Sequence, residues 1–285
     1  MAEPLDETRL WRLLDAVAAI AQRAGQRIRQ VQAGGYQVAH KADQSPVTTA
    51  DLAAHETILS GLTALEPRLP VLSEESEATI HAQRHRWTTY WLVDPLDGTR
   101  GFIRGDGEYS VNIALIRDHV PVLGVVHTPA TGRLWLAAHG LGAWRLADGR
   151  RTPIRTRPAP GVPVVAGSRS HGRPCLERFL RLVGPHREIR MSSIAKACLV
   201  AEGSADLYPR FGPTSEWDTA AAQCILEQAG GALTDFQGRP LQYNRGTSLE
   251  NPPFVAVGDP TAGWIPILAR ANLECRGSPE ATAPA

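Results

Sequence analysis

Apolar positions recur along this chain with two different periods, and the change from one to the other marks out its elements. Leu10, Leu13, Leu14, Val17, Ala21, Ala24 and Ile28 return at helical spacing, which predicts an amphipathic first helix. Arg9, Arg12, Asp15, Arg23 and Arg27 break up the run, so it is neither the core of a signal peptide nor a membrane span. No apolar stretch reaches the roughly 18 residues a spanning helix needs. A second helix follows Asp51, with Leu52, His55, Glu56 and Leu59 at helical spacing. Residues 90–93 read as a short buried strand, and Pro95 predicts that it stops there, because proline has no ladder donor. Segments 110–116, 122–127, 133–137 and 142–146 predict consecutive strands of one antiparallel sheet.

The stretch 150–163 is rich in arginine and proline and has no period, which places a boundary there. The predicted plan is an N-terminal α+β unit over 1–155, a C-terminal α/β unit over 156–270, and a frayed tail of small and polar residues over 271–285. Strand 164–167, helices near 176–182 and 194–202, and a helix at Asp218 ended by Gly230 and Gly231 make up the second unit. There is no internal repeat.

Composition narrows the class only a little. With 285 residues, 43% of them apolar, the chain can bury a sizeable core, and a formal charge of +1 argues against a binder of nucleic-acid polymers. Cys175, Cys198, Cys224 and Cys275 are widely scattered, which indicates neither a disulfide framework nor a zinc site and fits a reducing compartment.

The acidic residues change the picture more. In Asp94-Pro95-Leu96-Asp97-Gly98-Thr99 an apolar run breaks at two carboxylates, a glycine and a hydroxyl. Two such acids at 4 Å repel by roughly 4 kcal/mol at an effective dielectric near 20, and a divalent cation removes that penalty. Oxygen donors without paired histidine or cysteine favour a hard ion, magnesium or manganese. Taken alone, the same residues read equally well as an Asx-turn, Asp218 as a helix N-cap, and Asp51 as an acid facing a helix dipole. His81 and His85 have metal-ligand spacing but polar neighbours, and read as a solvent face.

Pro46-Val47-Thr48-Thr49-Ala50-Asp51, Ser73-Glu74-Glu75-Ser76, the Asp94 to Thr99 run and Trp217-Asp218-Thr219-Ala220-Ala221 occur in an order that resembles the lithium-sensitive, magnesium-dependent phosphatase superfamily of inositol monophosphatases and fructose bisphosphatases. Segments 107–116, 199–213 and 249–252 resemble its bacterial 3′(2′),5′-bisphosphate nucleotidase branch, and the likeness spans roughly residues 10 to 260. The resemblance implies an α/β sugar-phosphatase fold, a layered αβαβα sandwich. It implies that Glu74, Asp94, the Leu96 carbonyl, Asp97 and Asp218 hold two magnesium ions, with a third held more weakly and manganese as a substitute. Asp51, Glu74 and Thr99 form the implied catalytic set for two-metal, in-line hydrolysis. The same likeness sets Glu74, Leu96, Asp97, Gly98, Thr99 and Asp218 against the substrate. Ser170, His171, Lys196 and Arg210 join them on the nucleotide side, and Arg104 is the next cation to test.

The chain departs from that branch at Gly101, where an acidic residue is usual, and at 192–198, which keeps Lys196 and Cys198 but loses a glycine, a serine and an aromatic. The implied activity is removal of the 3′-phosphate of adenosine 3′,5′-bisphosphate, with its sulfated relative, 3′-phosphoadenylyl sulfate, as a further substrate in sulfur metabolism. Inositol monophosphate or fructose bisphosphate hydrolysis is the same-class alternative, and an idle nucleotide or metal sensor the alternative of another class. A haloacid-dehalogenase reading fails on spacing, because Asp94 and Asp97 are separated by two residues and Glu74 has no role in that scheme. The expected setting is the cytoplasm, as a monomer or homodimer, with the basic face of the first helix leaving weak peripheral contact with the inner membrane open.

Overall fold

The computed structural model describes residues 6–169 and 172–276. The first half comprises α1 (Glu7–Gly34), β1 (Val38–His40), β2 (Pro46–Thr48), α2 (Thr49–Thr63), β3 (Val71–Ser73), α3 (Ala78–Gln83), β4 (Thr89–Asp97), α4 (Thr99–Arg104), β5 (Ser110–Arg117), β6 (Val120–Thr128), β7 (Arg133–Ala138), β8 (Gly142–Ala147) and β9 (Arg150–Pro153). The second half comprises β10 (Val164–Ser168), α5 (Arg173–Val183), β11 (Arg187–Met191), α6 (Ala195–Ala201), β12 (Leu207–Arg210), α7 (Glu216–Gln228), β13 (Ala232–Asp235), β14 (Phe254–Val257) and α8 (Trp264–Arg276).

Seven strands form one sheet in chain order from β3 to β9, and five form another in the order β11-β10-β12-β14-β13. Alternation along the strands decides what each face covers. Trp91, Val93, Val111, Ile113 and Leu115 point towards α1 and α2, while Tyr90, Leu92, Ala114 and Ile116 point towards α6 and α7. The second sheet repeats the division, with Ala166, Tyr208, Phe254 and Ala256 in the central core and Val165, Leu207, Val255 and Val257 beneath α5 and α8. The result is the αβαβα sandwich. The apolar stripe of α1 is taken up by this packing, with Leu14, Val17, Ala21, Ala24 and Ile28 all buried.

The central helix α7 lies very close to the first sheet. Its bed is a row of small residues, Ala114, Gly124 and Ala137, paired across β5, β6 and β7. A Cβ on Gly124 would stand 2.2 Å from the Ala221 carbonyl oxygen, so only glycine admits the helix there.

Three expectations need correction. β4 does not stop at Pro95 but runs to Asp97, because the register with β5 shifts between Asp94 and Asp97 and the bulge absorbs the missing donor. Cys175 and Cys275 form a disulfide, Cα to Cα 5.4 Å, joining α5 to α8. The two helices pack side by side on the outer layer, and a separation of 100 residues hides that neighbourhood from spacing arguments. Finally, the expected tail from 271 is helical as far as Arg276, with Ala271 and Cys275 buried; residues 277–285 lie outside the described residues.

Candidate active site

Two helices and one strand end at the same place. α2 opens with Thr48 as its N-cap and Asp51 as its third residue, and α7 opens with Ser215 and Asp218 in the same relation. Each aspartate turns one oxygen back to its cap: Asp51 Oδ2 accepts from Thr48 N at 2.8 Å, and Asp218 Oδ2 from Ser215 N at 2.8 Å. Asp218 is thus not the N-cap expected of it but stands at the third helical position, with Ser215 at the cap, and Asp51 does more than face a helix dipole, since its Oδ1 also accepts the Thr99 hydroxyl at 3.1 Å. Thr99 Oγ1 lies 3.2 Å from the Leu96 carbonyl as well, so its single hydrogen is shared between the two acceptors.

The end of β4 supplies the rest. Asp94 Oδ1 accepts from Leu96 N at 3.0 Å, and Asp97 Oδ2 accepts from Ser110 Oγ at 3.2 Å and Ile194 N at 2.5 Å. Gly98, at φ 91°, turns the chain into α4, and a Cβ there would meet the Glu108 carbonyl at 2.8 Å. A cavity of about 270 Å³ is lined by Glu74, Asp94, Leu96, Asp97, Gly98, Thr99 and Asp218, together with Arg100, Arg104 and Arg210.

Charge in this cavity is crowded. Burial raises the Asp94 carboxyl well above the usual range, and the charges of Glu74, Asp97 and Asp218 push it further. Asp218 is raised to about 7 by burial and by Asp97 and Glu74. Burial also raises Asp97, against the pull of the Ile194 amide, Lys196 and Arg210. Asp51 is raised by burial, with the hydrogen bonds from Thr48 and Thr99 opposing.

Glu74 is held differently. Its Oε1 pairs with Lys41 Nζ at 2.7 Å, and the same ammonium reaches Glu75 at 2.6 Å. Burial works against the Lys41 charge, but the two glutamates outweigh it and raise its pKa. Among the described residues no three His, Cys, Asp or Glu side chains are gathered tightly enough to grip an ion as they stand. The donor set nevertheless fits a hard divalent cation: every donor is oxygen, and the raised carboxyls mark negative charge without a counterion. Opposite Asp94 in the ladder, the buried Asn112 amide has neither polar atom partnered among the described residues.

A scan for protein families matches the inositol monophosphatase family over residues 10–261. The chain belongs to that family. It is 48% identical to the 3′(2′),5′-bisphosphate nucleotidase CysQ of Escherichia coli K12 over 244 residues, 85% of this chain and 98% of the relative. The Haemophilus influenzae CysQ is 37% identical over 259 residues, 90% and 96% of the two chains. Among solved structures, CysQ from Bacteroides thetaiotaomicron superposes with a TM-score of 0.75 at 37% identity, covering 87% of this chain and 97% of that one. A staphylococcal inositol monophosphatase soaked in lithium chloride has the same TM-score at 18% identity, which speaks for the shared fold.

Within this family member, Glu74, Asp94, Leu96, Asp97, Gly98, Thr99, Asp218 and Arg210 line one cavity, and Asp51 adjoins it through Thr99. Ser170 and His171 lie outside the described residues. Lys196 corrects the expectation of a phosphate contact. It is 0% exposed, its ammonium donates to the carbonyls of Met191, Ser192 and Ser193, and it sits 4.9 Å from the centre of the Tyr208 ring. Burial lowers its pKa to about 7, and it shapes the turn that presents Ile194 N to Asp97. Sequence reasoning missed Lys41, Ser110 and Ile194. Lys41 stands in a polar loop without period, and an amide such as that of Ile194 leaves no trace in residue type.

Proposed function

We propose that this protein is a magnesium-dependent phosphomonoester hydrolase that removes the 3′-phosphate of adenosine 3′,5′-bisphosphate, giving AMP and phosphate, and also accepts 3′-phosphoadenylyl sulfate. The observation that carries the reading is the shared wall of one cavity, in which metal-type carboxylates stand beside Arg100, Arg104 and Arg210. A substrate with two phosphates matches that pairing, with one ester at the carboxylates and one anion for the guanidinium groups. The 48% identity to CysQ supports the same substrate class, and sulfur assimilation in the cytoplasm is the setting it suggests.

Glu74, Asp94, the Leu96 carbonyl, Asp97 and Asp218 would hold magnesium. Bound there, divalent cations lower the pKa of water and stabilise the charge on the leaving oxygen. Thr99 and Asp51 perform the proton step: Thr99 Oγ1 accepts a proton from the attacking water as its own passes to Asp51 Oδ1, 3.1 Å away. The raised pKa of Asp51 suits a group that must take up a proton. Lys41 holds Oε1 of Glu74, and a cation at that carboxylate would compete with this ammonium for it. Gly98 and Thr99, at the opening of α4, line the cavity, and their amides would be offered to the phosphate being cleaved.

Phosphate release from adenosine 3′,5′-bisphosphate, inositol 1-phosphate and fructose 1,6-bisphosphate, with and without magnesium and with added lithium, tests the proposal. The expected result is magnesium-dependent, lithium-inhibited release fastest from the nucleotide. Preference for an inositol or sugar ester would move the protein to another branch of its family, and no release at all would make it a binder.

A further inference from the structure

The glycine at position 101 has a specific neighbour. Gly101 is buried within α4, with no unusual backbone angle, so its conformational freedom does not explain it. A Cβ there would lie 2.9 Å from Asp106 Oδ1 and 3.0 Å from the Glu108 carbonyl, so the missing side chain leaves room for the Asp106 carboxylate. Asp106 in turn holds Arg104: Nη2 donates to Asp106 Oδ2 at 2.7 Å and Nε to the same oxygen at 3.2 Å. Nη2 also reaches Ser192 Oγ at 3.2 Å, which ties the arginine to the second half of the molecule.

Arg104 ends the helix that Thr99 begins, about 7.5 Å further along at 1.5 Å per residue, and it lines the same cavity. That offset suits a second anion on a ligand whose first phosphate sits at Thr99. The guanidinium has five N–H donors, and the two hydrogens on Nη1 have no partner among the described residues.

We propose that Asp106 is a specificity-determining residue: it fixes Arg104 to receive the phosphate that is not cleaved, and Gly101 is glycine to make room for it. In this chain the acidic group needed beside the arginine comes from the loop after α4 and not from α4 itself. The proposal rests on the phosphomonoesterase reading above, and it concerns discrimination between one phosphate and two.

The test uses Asp106→Asn, Gly101→Glu and their combination, with adenosine 3′,5′-bisphosphate and adenosine 3′-phosphate as paired substrates. Asp106→Asn raises KM for the bisphosphate about tenfold, the size of one charge-assisted hydrogen bond, and KM for the monophosphate by less than about twofold. Arg104→Gln shows the same split. Gly101→Glu alone worsens KM for the bisphosphate, because its carboxylate meets that of Asp106; in the Asp106→Asn background it improves KM, because the charge beside Arg104 returns. That change of sign is what a merely structural role would not produce. Equal KM changes on both substrates, or effects that simply add, overturn the role of Asp106. Turnover of the bisphosphate by the unaltered protein is the control. Its absence overturns the proposed function and this proposal together, whereas its presence with an unaltered preference in Asp106→Asn overturns only the latter.

Discussion

The openings of α2 and α7 are the same device in two settings. In each, a hydroxyl residue occupies the N-cap and an aspartate three positions on reaches back to the cap amide at 2.8 Å. The difference lies in what the remaining carboxylate oxygen faces. Asp51 meets a neutral hydroxyl, that of Thr99, and feels the charge of Glu74 as a lesser influence, whereas Asp218 lies within the charge of both Asp97 and Glu74. In the proposed reaction one local motif would serve as a proton acceptor in one place and as a cation ligand in the other. The capping bond holds each carboxylate still, and its tertiary surroundings decide its chemistry.

The sharpest way to separate the two is to neutralise each in turn. Asp218→Asn is expected to lower turnover by at least about a thousandfold, since the cation it is proposed to help hold would be worth several kcal/mol in the transition state. The same change should raise the melting temperature of the metal-free protein at neutral pH. The sign follows from the folded pKa of about 7, above the ordinary 3.8: the folded chain holds this proton more tightly than the unfolded one. Stability is therefore fully present below about pH 4 and declines as pH rises through about 7. Calorimetry in a chelator should show that decline in the native protein and a shallower one in Asp218→Asn.

Asp51→Asn should lower kcat by about 10²- to 10⁴-fold, the usual contribution of a positioned base. Magnesium affinity, read by titration calorimetry, should change far less than in Asp218→Asn. Equal losses of affinity would erase the distinction between the two helix openings. The smallest effect is expected from Thr48→Val, which removes the cap hydroxyl that accepts from Ala50 N and donates to Asp51 Oδ2. It should cost about 1 kcal/mol, a fall of a few degrees in melting temperature.

Much of this site is legible in the chain because its chemistry is written in residue types. Glu74, Asp94 and Asp97 follow apolar stretches and Asp218 opens an apolar helix, and carboxylates at the ends of buried elements call for an explanation that a surface acid does not. What stays hidden is set by contacts between distant segments. Lys196 looks like a phosphate contact because the segment around it resembles one in the nucleotidase branch; only the fold shows three backbone carbonyls closing around its ammonium. Lys41 looks like loop polarity until Glu74 and Glu75 are placed beside it. Cys175 and Cys275 are brought together by the packing of α5 on α8, which no spacing rule encodes. Pro95 misleads for a local reason, since a bulge lets a strand pass a residue that cannot donate.

Gly124 sits in mid-sheet, remote in sequence from every carboxylate of the site, yet it sets the height at which the third-layer helix rides. Alanine at that position would need the Ala221 carbonyl to retreat by about 1 Å to reach ordinary contact. Asp218 travels on the same rigid rod, one turn before Ala221. A displacement of that size is enough to degrade a reaction about a hundredfold. The most permissive amino acid in the molecule is thereby, at this one point, the least replaceable, and the alignment of the chemistry is governed from beneath the floor on which it takes place.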